Sequence, residues 1–375
     1  MKFSKLGKLI MVVAVIAIIS IVAFAGYASE KKSEIQGKTV TIVDDTGRKV
    51  AVHVPIKTFV YHGHNCYLYE MLRALGVEDR VIGVSDRFVR PGGYRYSPAY
   101  FPELLNVTDV GLLKSPDYEL IDKLKPDAVF TDSTRWYDWK KTPDIPVIIM
   151  DLRPTTDLTE FKKKVMELAI LFNEEKEAKE YIEWHTKWFN EIKKRIEDIP
   201  YDKRPLVYIG YYNAVKYGGK TFQVPARDSY RSVIVRMAGG RPLGDEINGS
   251  GNINVDVEWV IKRNPDVMMF SISEPYLGYD VTDPSKAKKM IEQFMSRSEF
   301  AHVSAVKNKR VYMVSHAYIL CGGASGLINS LYLAKWLYPE RFADIDPQAV
   351  HQEFVTKFQH LNLDVNKTWC VYPKP

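Results

Sequence analysis

One sequence unit occurs twice in this chain, and it constrains the fold more than any other feature. The first copy runs from Pro116 to Phe130, and the second runs from Asn254 to Phe270. In each copy a Glu stands seven residues before a Pro-Asp pair, apolar residues at helical spacing lie between them, and a short apolar run follows. This pattern predicts a short helix that stops at the proline and leads into a buried strand. Because the unit recurs, we expect two lobes of similar architecture.

Length and charge narrow the class of protein. The chain has 375 residues, of which 46% are hydrophobic and 26% charged, which suits two domains with their own cores. The formal net charge is +6, and three of the positive charges are Lys2, Lys5 and Lys8 at the N-terminus. No basic run occurs elsewhere, so nucleic acid is excluded as a partner.

The N-terminus predicts export. Three lysines precede an apolar run from Leu9 to Gly26 that only Ser20 interrupts. Residues 1–28 are therefore a signal peptide, cleaved before Ser29, or a membrane anchor, and residues 29–37 are a polar linker. Lysines before the span place the folded part outside the cytoplasm, soluble or anchored to the outer face of the membrane.

Cysteine usage and acceptor motifs are compatible with export. The chain has three cysteines without zinc-site spacing, and one disulfide is possible, with Cys321–Cys370 favoured over pairs that include Cys66. Three positions fit the pattern of glycosylation acceptors: Asn106, Asn248 and Asn366.

Short strand and helix patterns alternate in two parts of the chain. Residues 38–156 predict an N-terminal α/β lobe with a largely parallel sheet, and residues 201–375 predict a C-terminal lobe of the same kind. Between them, residues 157–200 carry apolar residues at helical spacing with no Gly or Pro before Pro200. That segment predicts one long helix, or two end to end, as a rigid connection. The fold class is therefore α/β, with two Rossmann-like lobes and a cleft between them.

Five phrases in order resemble the exported substrate-binding proteins of ABC importers for iron-siderophores, haem and cobalamin. They are Thr41 to Val52, Leu72 to Val84, Tyr118 to Asp127, Ala238 to Gly240 and Ala301 to Tyr312. The resemblance spans residues 38–360 and implies two lobes joined by a single long helix, with the ligand held between them. It also implies that Glu119 and Glu258 lie on the lobe tips and bind arginines of a permease dimer with its ATPase. In the alternative interpretation, each Glu only complements a helix dipole.

Ligands of open α/β sheets bind beyond the carboxyl ends of the strands. Residues there are rich in Tyr, Trp, His and Arg, which suits a large, flat or anionic ligand. The candidates in the first lobe are Tyr61, His62, His64, Arg90, Tyr94, Arg95, Arg135 and Trp136, and those in the second are Tyr212, Tyr217, Arg227, Tyr230, Arg231, Tyr276 and His316. Arg87, Tyr137, Tyr211 and Tyr318 also follow strands.

One segment of the sequence could bind a metal ion directly through its own side chains. His62 and His64, with Tyr61, could ligate iron or cobalt, since alternate residues of a strand point to one side. The alternative is two loop histidines bonded to backbone. Ferric chelates usually arrive fully coordinated, so no protein ligand is required.

These observations predict a binding protein that delivers a ferric siderophore or similar Fe(III) chelate to an importer, with no intrinsic cofactor. The alternative cargo is a corrinoid or haem, and a surface protein that binds another protein is a further alternative. An enzyme is disfavoured, because the cysteines lack cluster spacing and no nucleophile elbow, phosphate loop or His-Glu-x-x-His motif occurs.

Overall fold

The computed structural model describes residues 37–92, 96–212, 221–320 and 326–375. These residues form two α/β lobes, each built around its own five-stranded sheet, which confirms the predicted fold class. The predicted leader, and residues 29–36 of the linker, lie outside the described residues. Within the described ranges, no helix is both long and apolar enough to cross a membrane.

The first lobe contains a parallel sheet in the order β5-β4-β3-β8-β9, preceded by the predicted hairpin of β1 and β2. Its strands are β1 (Lys38–Val43), β2 (Lys49–Val54), β3 (Phe59–Tyr61), β4 (Val81–Val84), β5 (Thr108–Asp109), β6 (Gly111–Leu112), β7 (Ser115–Pro116), β8 (Ala128–Thr131) and β9 (Val147–Ile149). Its helices are α1 (Tyr67–Ala74), α2 (Asp86–Val89) and α3 (Tyr118–Leu124).

The connection between the lobes differs from the prediction. It consists of two helices, α4 (Leu158–Phe172) and α5 (Glu175–Ile196), separated where Asn173 adopts a left-handed conformation with φ 61°. The rings of Phe161 on α4 and His185 on α5 stack with centroids 4.1 Å apart, so the two helices are antiparallel. A single helix over 157–200, or two end to end, is therefore wrong. The implied joining of the lobes by one long helix is confirmed, and that helix is the 22-residue α5, about 33 Å long.

The second lobe contains a sheet in the order β12-β10-β14-β15-β16, parallel except for β16. Its strands are β10 (Leu206–Tyr211), β11 (Thr221–Pro225), β12 (Arg241–Pro242), β13 (Asn252–Asp256), β14 (Val267–Ile272), β15 (Val311–Ser315) and β16 (Val371–Tyr372), of which β11 and β13 pair separately. Its helices are α6 (Tyr230–Met237), α7 (Val257–Arg263), α8 (Ser285–Met295), α9 (Ser304–Lys307), α10 (Leu327–Leu337) and α11 (Pro347–Glu353).

The two copies of the repeated unit hold equivalent places. The first forms α3 and β8, the second forms α7 and β14, and each of these strands lies beside the first parallel strand of its lobe, β3 or β10. Each helix ends at a left-handed residue just before the proline, Lys125 or Asn264, both with φ 49°. The predicted helix, stop and buried strand are confirmed in both copies.

The Asp of each Pro-Asp pair explains why the pair recurs. The Asp127 carboxylate accepts the backbone N–H groups of Lys57 (2.8 Å) and Thr58 (2.9 Å), just before β3. The Asp266 carboxylate accepts the N–H of Leu206, the first residue of β10, at 2.8 Å. Each Asp therefore fixes the start of the neighbouring strand and with it the register of the sheet.

The lobes meet through a buried cluster that we call the tyrosine junction: Tyr100, Tyr279, Tyr318, Tyr332 and His351. Tyr100 of the first lobe stacks on Tyr279 of the second, with centroids 4.1 Å apart and planes 10° from parallel. The His351 ring nitrogens contact the hydroxyls of Tyr279 (2.7 Å) and Tyr332 (3.2 Å). One hydrophobic core therefore runs through both lobes.

Candidate ligand cleft

A cavity of about 360 Å³ opens between the carboxyl ends of the two sheets. Both lobes line it, as the strand-end rule predicts. Of the candidates, six line this cavity: His64, Arg135, Trp136, Tyr230, Arg231 and His316. Tyr211, at the end of β10, lines it as well.

The first-lobe wall is held in place by a carboxylate. Asp132, directly after β8, accepts the backbone N–H groups of His64 (3.1 Å) and Asn65 (2.8 Å). The His64 ring stacks on Trp136, with centroids 5.2 Å apart and planes 16° from parallel. The Arg135 guanidinium lies 4.7 Å from the centroid of the same indole. The wall thus presents a cation, an aromatic face and an imidazole together.

The second-lobe wall is built on the ends of β10, β14 and β15. The His316 Nδ1 contacts the Ser271 hydroxyl at 3.2 Å, and its Nε2 contacts the Tyr211 hydroxyl at 3.3 Å. The Arg231 guanidinium lies 4.1 Å from the centroid of Tyr211 and donates from Nη1 to the Asn252 amide oxygen at 2.9 Å. His316 begins a π-helical turn, a feature common at functional sites.

A second compartment of about 470 Å³ adjoins the cavity along α4. The two share five lining residues: Asp151, Arg153, Asp228, Tyr230 and Ser250. Arg153 and Asp151 form an ion pair, and Lys164 bonds to Asp45 at 3.0 Å. The cleft is therefore elongated, and most of the charges in this compartment are compensated.

Several candidates lie away from the cavity, and their assignment to the cleft is corrected. Tyr61 and Tyr212 are buried in the lobe cores. There the Tyr61 hydroxyl donates to the Asn65 carbonyl at 2.5 Å, and the Tyr212 hydroxyl donates to the Met290 carbonyl at 3.0 Å. Arg90 instead pairs with Asp109.

Arg227 and Tyr276 also lie outside the cavity. The Arg227 Nε donates to the Asp245 carbonyl at 2.7 Å, which directs the side chain away from the cleft. Tyr276 packs against the core of the second lobe.

The two histidines of the predicted metal pair are separated. His62 is fully buried beside Tyr137, with ring centroids 5.5 Å apart, and burial lowers its pKa to about 4. His64 lines the cavity, but His62 does not. The structure does not bring Tyr61, His62 and His64 together at one metal position, and in the part of the chain that it describes no three His, Cys, Asp or Glu side chains are grouped for a metal.

Some predictions fall outside the described residues: the site candidates Tyr94, Arg95 and Tyr217, and the disulfide partner Cys321. Cys370 is buried, and Cys66 donates from Sγ to the Ala317 carbonyl across the lobes at 3.5 Å. The acceptor positions Asn106, Asn248 and Asn366 are all exposed.

Ten further residues line the cavity that the sequence patterns did not predict. These are Asn65, Asp132, Ser133, Asp151, Arg153, Asp228, Ser229, Ser250, Gly251 and Asn252. Asp132 and Asp151 follow the ends of β8 and β9, so the strand-end rule covers their positions, but an acidic side chain is not a signal for an anionic ligand. Residues 250–252 reach the cleft only because β13 pairs with β11, which no local pattern indicates.

Glu119 and Glu258 occupy matching positions in the first turns of α3 and α7. Both side chains are exposed, and neither takes part in an ion pair within the described ranges. Both are thus accessible to another protein.

Comparisons with known proteins agree with this architecture. A family model described as "Periplasmic binding protein" matches residues 58–317. The molybdate-binding protein MolA of Haemophilus influenzae is 24% identical over 341 residues, which cover 84% of this chain and 90% of MolA. The petrobactin-binding protein YclQ of Bacillus subtilis is 25% identical over 303 residues, covering 79% of this chain and 86% of YclQ.

Solved structures share the fold. The TroA-like periplasmic binding protein FepB from Veillonella parvula matches with a TM-score of 0.71 at 23% identity, covering 88% of this chain and 98% of that one. MolA in its molybdate-bound crystal structure matches with a TM-score of 0.65 at 21% identity, covering 86% of this chain and 98% of that one.

Proposed function

The chain belongs to the periplasmic binding protein family, the extracytoplasmic solute-binding proteins of ABC importers, and from that premise we propose that its cargo is a ferric siderophore or a similar iron chelate. One observation carries the proposal: three arginines, two histidines and three aromatic rings face a single cavity between the lobes. Guanidinium groups bind carboxylate and catecholate oxygens, and the rings offer flat faces to a chelate.

A family relative supports the same class of cargo. YclQ is a petrobactin-binding protein and matches over most of both chains. Other relatives bind different solutes: MolA binds molybdate, and IsdE of Staphylococcus aureus, 25% identical over 229 residues, belongs to a haem uptake system. Haem and corrinoid therefore remain the alternative cargoes, to be separated by experiment.

A fluorescence titration tests the cargo. The full chain, purified in mild detergent, is titrated with ferric citrate, ferric catecholate and hydroxamate siderophores, haem, cobalamin and molybdate. We expect saturable one-to-one quenching by a ferric chelate, because Trp136 lines the cavity. The quenching should shrink in Trp136→Phe and persist in Trp139→Phe, whose ring lies outside the cavity. Binding of haem, cobalamin or molybdate alone would replace the iron chelate as cargo.

We propose that the chain binds and releases this cargo without chemical change and without an intrinsic cofactor. Its partners are a permease dimer and the ATPase of that importer, contacted through Glu119 and Glu258. One exposed carboxylate on each lobe suits a two-fold permease, because each can pair with a cation of one subunit.

Transport in proteoliposomes containing the cognate permease and ATPase tests this docking. The double variant Glu119→Gln/Glu258→Gln should lose most of the uptake while its affinity for cargo is unchanged. The matched control Glu183→Gln/Glu340→Gln removes two other exposed carboxylates and should transport normally. Equal uptake by both double variants would contradict the docking role.

The domain organisation remains a proposal: a leader at 1–28, a linker at 29–37, lobes at 38–156 and 201–375, and the connection at 157–200. Mass spectrometry of the secreted or membrane-bound protein would show whether the chain begins near Ser29.

A further inference from the structure

The two walls of the cleft carry the same arrangement of groups. In the first lobe, the Trp136 ring has the Arg135 guanidinium 4.7 Å from its centroid and the His64 ring stacked at 5.2 Å. In the second lobe, the Tyr211 ring has the Arg231 guanidinium at 4.1 Å and the His316 ring at 4.5 Å. Each wall therefore presents one guanidinium supported by an aromatic ring.

The two guanidinium groups differ in how firmly they are held. Arg231 is 2% exposed, lies against two tyrosine rings and donates to Asn252. Arg135 is exposed, and it belongs to no salt bridge among the residues that the structure describes. Arg231 consequently has little rotamer freedom to lose when it binds an anion, whereas Arg135 can adjust its position.

The charges that line the cavity balance only when Arg135 and Arg231 are counted with the others. Arg153 pairs with Asp151, and the Asp132 carboxylate is bonded to the N–H groups of the His64 loop. Asp228 adds a further negative charge at the second-lobe side, so three arginines face three aspartates. An anion is therefore recognised by the positions of Arg135 and Arg231 and not by an excess of positive charge.

We propose that the cleft selects a chelate with two separate anionic groups, one bound by the fixed Arg231 and the other by the adjustable Arg135. The inference rests on the proposed function and refines its cargo class. Carboxylate or catecholate chelates meet the requirement, whereas a ferric trihydroxamate without negative charge does not. The fixed fork of Arg231 demands one geometry from every cargo, and Arg135 tolerates variation in the second group.

Calorimetric titration of the full chain with ferric citrate tests the division between the walls. Arg231→Lys should weaken binding about tenfold, nearly as much as Arg231→Ala, because lysine lacks the planar fork. Arg135→Lys should stay within about threefold of the parent, and only Arg135→Ala should approach a tenfold loss. Raising the salt concentration should reduce the effect of Arg135→Ala more than that of Arg231→Ala, since exposed charges are screened. Arg90→Ala, which removes an arginine outside the cavity, is the control.

Arg231 is buried, so a variant that leaves it in place provides a second measurement. Asn252→Ala removes the amide that holds the guanidinium, at an exposed position, and should weaken ferric citrate binding severalfold with an unchanged melting temperature. Equal losses for the two lysine variants, or no effect of Asn252→Ala, would overturn the inference alone. Trihydroxamate binding as tight as that of ferric citrate would also overturn it, while leaving an iron chelate as cargo. Failure of every iron chelate to bind would overturn both proposals.

Discussion

At the tyrosine junction the lobes meet through side chains that are at most 2% exposed, whereas at the cleft they face each other across an open cavity of about 360 Å³. The junction consists of stacked phenol rings with satisfied hydroxyls, and the cleft consists of arginines, histidines and exposed ring faces. This difference indicates that the junction holds the lobes together, so that most of the cleft side chains are not needed for the contact between them. Cargo-binding side chains can then vary on a constant frame.

The largest expected effect tests the junction. Tyr100→Ala removes a fully buried ring that stacks on Tyr279 and donates its hydroxyl to Glu70 at 2.8 Å. The free energy of unfolding in urea should fall by about 3–5 kcal/mol, the usual loss for a large aromatic side chain in a core. Tyr201→Ala, at a ring that is 42% exposed, should lose less than about 1 kcal/mol. Similar losses for both variants would show that the junction does not stabilise the lobes.

An effect of intermediate size concerns the pH dependence of stability at the junction and sharpens the comparison. Glu274 lies on the junction side, where burial, with a further contribution from the charge of Asp280, raises its pKa from 4.5 to about 7. Asp280 also joins the lobes, accepting the N–H of Ala99 at 3.1 Å. The folded protein holds the proton of the Glu274 carboxyl more tightly than the unfolded chain does. The contribution of this protonated carboxyl to the free energy of unfolding is therefore complete below about pH 4.5 and is lost as the pH rises through about 7.

Glu274→Gln keeps the neutral form and isolates this group. Relative to the parent, the variant should be unchanged at pH 4.5 and more stable at pH 8, by on the order of 1 kcal/mol after allowing for partial solvent exposure. Urea unfolding of both proteins across this range measures the difference. His62 and His351, whose pKa values burial lowers to about 4 and about 3, destabilise both proteins equally as the pH falls below about 6.5, so they cancel. A constant difference between the two proteins would contradict the assignment to Glu274.

Much of the frame was predictable because its signals are local. The repeated unit specifies a helix, a stop and a strand within one short segment, and both copies fold as predicted. The helical connection was mispredicted at one residue: Asn173 adopts the left-handed conformation that ends α4, and asparagine is a weaker signal than Gly or Pro.

The cleft was only partly predictable because its residues depend on distant pairings. Strand ends predicted Arg135, Trp136 and His316, which line the cavity, but the same rule placed Tyr61 in the cleft. A tyrosine at a strand end can point into the lobe core or into the cleft, since its hydroxyl can bond to a backbone carbonyl inside a lobe as readily as to a ligand. Which side it takes depends on the twist of the strand and on the neighbouring helix, neither of which the local sequence determines.

The smallest expected effect on stability belongs to the cleft. Trp136→Ala is the counterpart of Tyr100→Ala, a large ring replaced by a methyl group, but its ring is part of a cavity wall and only partly buried. The free energy of unfolding should change by no more than about 0.5 kcal/mol, because no core packing is lost. The affinity for ferric citrate should nevertheless fall roughly three- to tenfold, since the ring supports both Arg135 and His64. Trp139→Ala, three residues further along and outside the cavity, should change neither quantity appreciably. A large loss of stability in Trp136→Ala would show that the cleft wall helps to hold the lobes and would remove the distinction between the two sides.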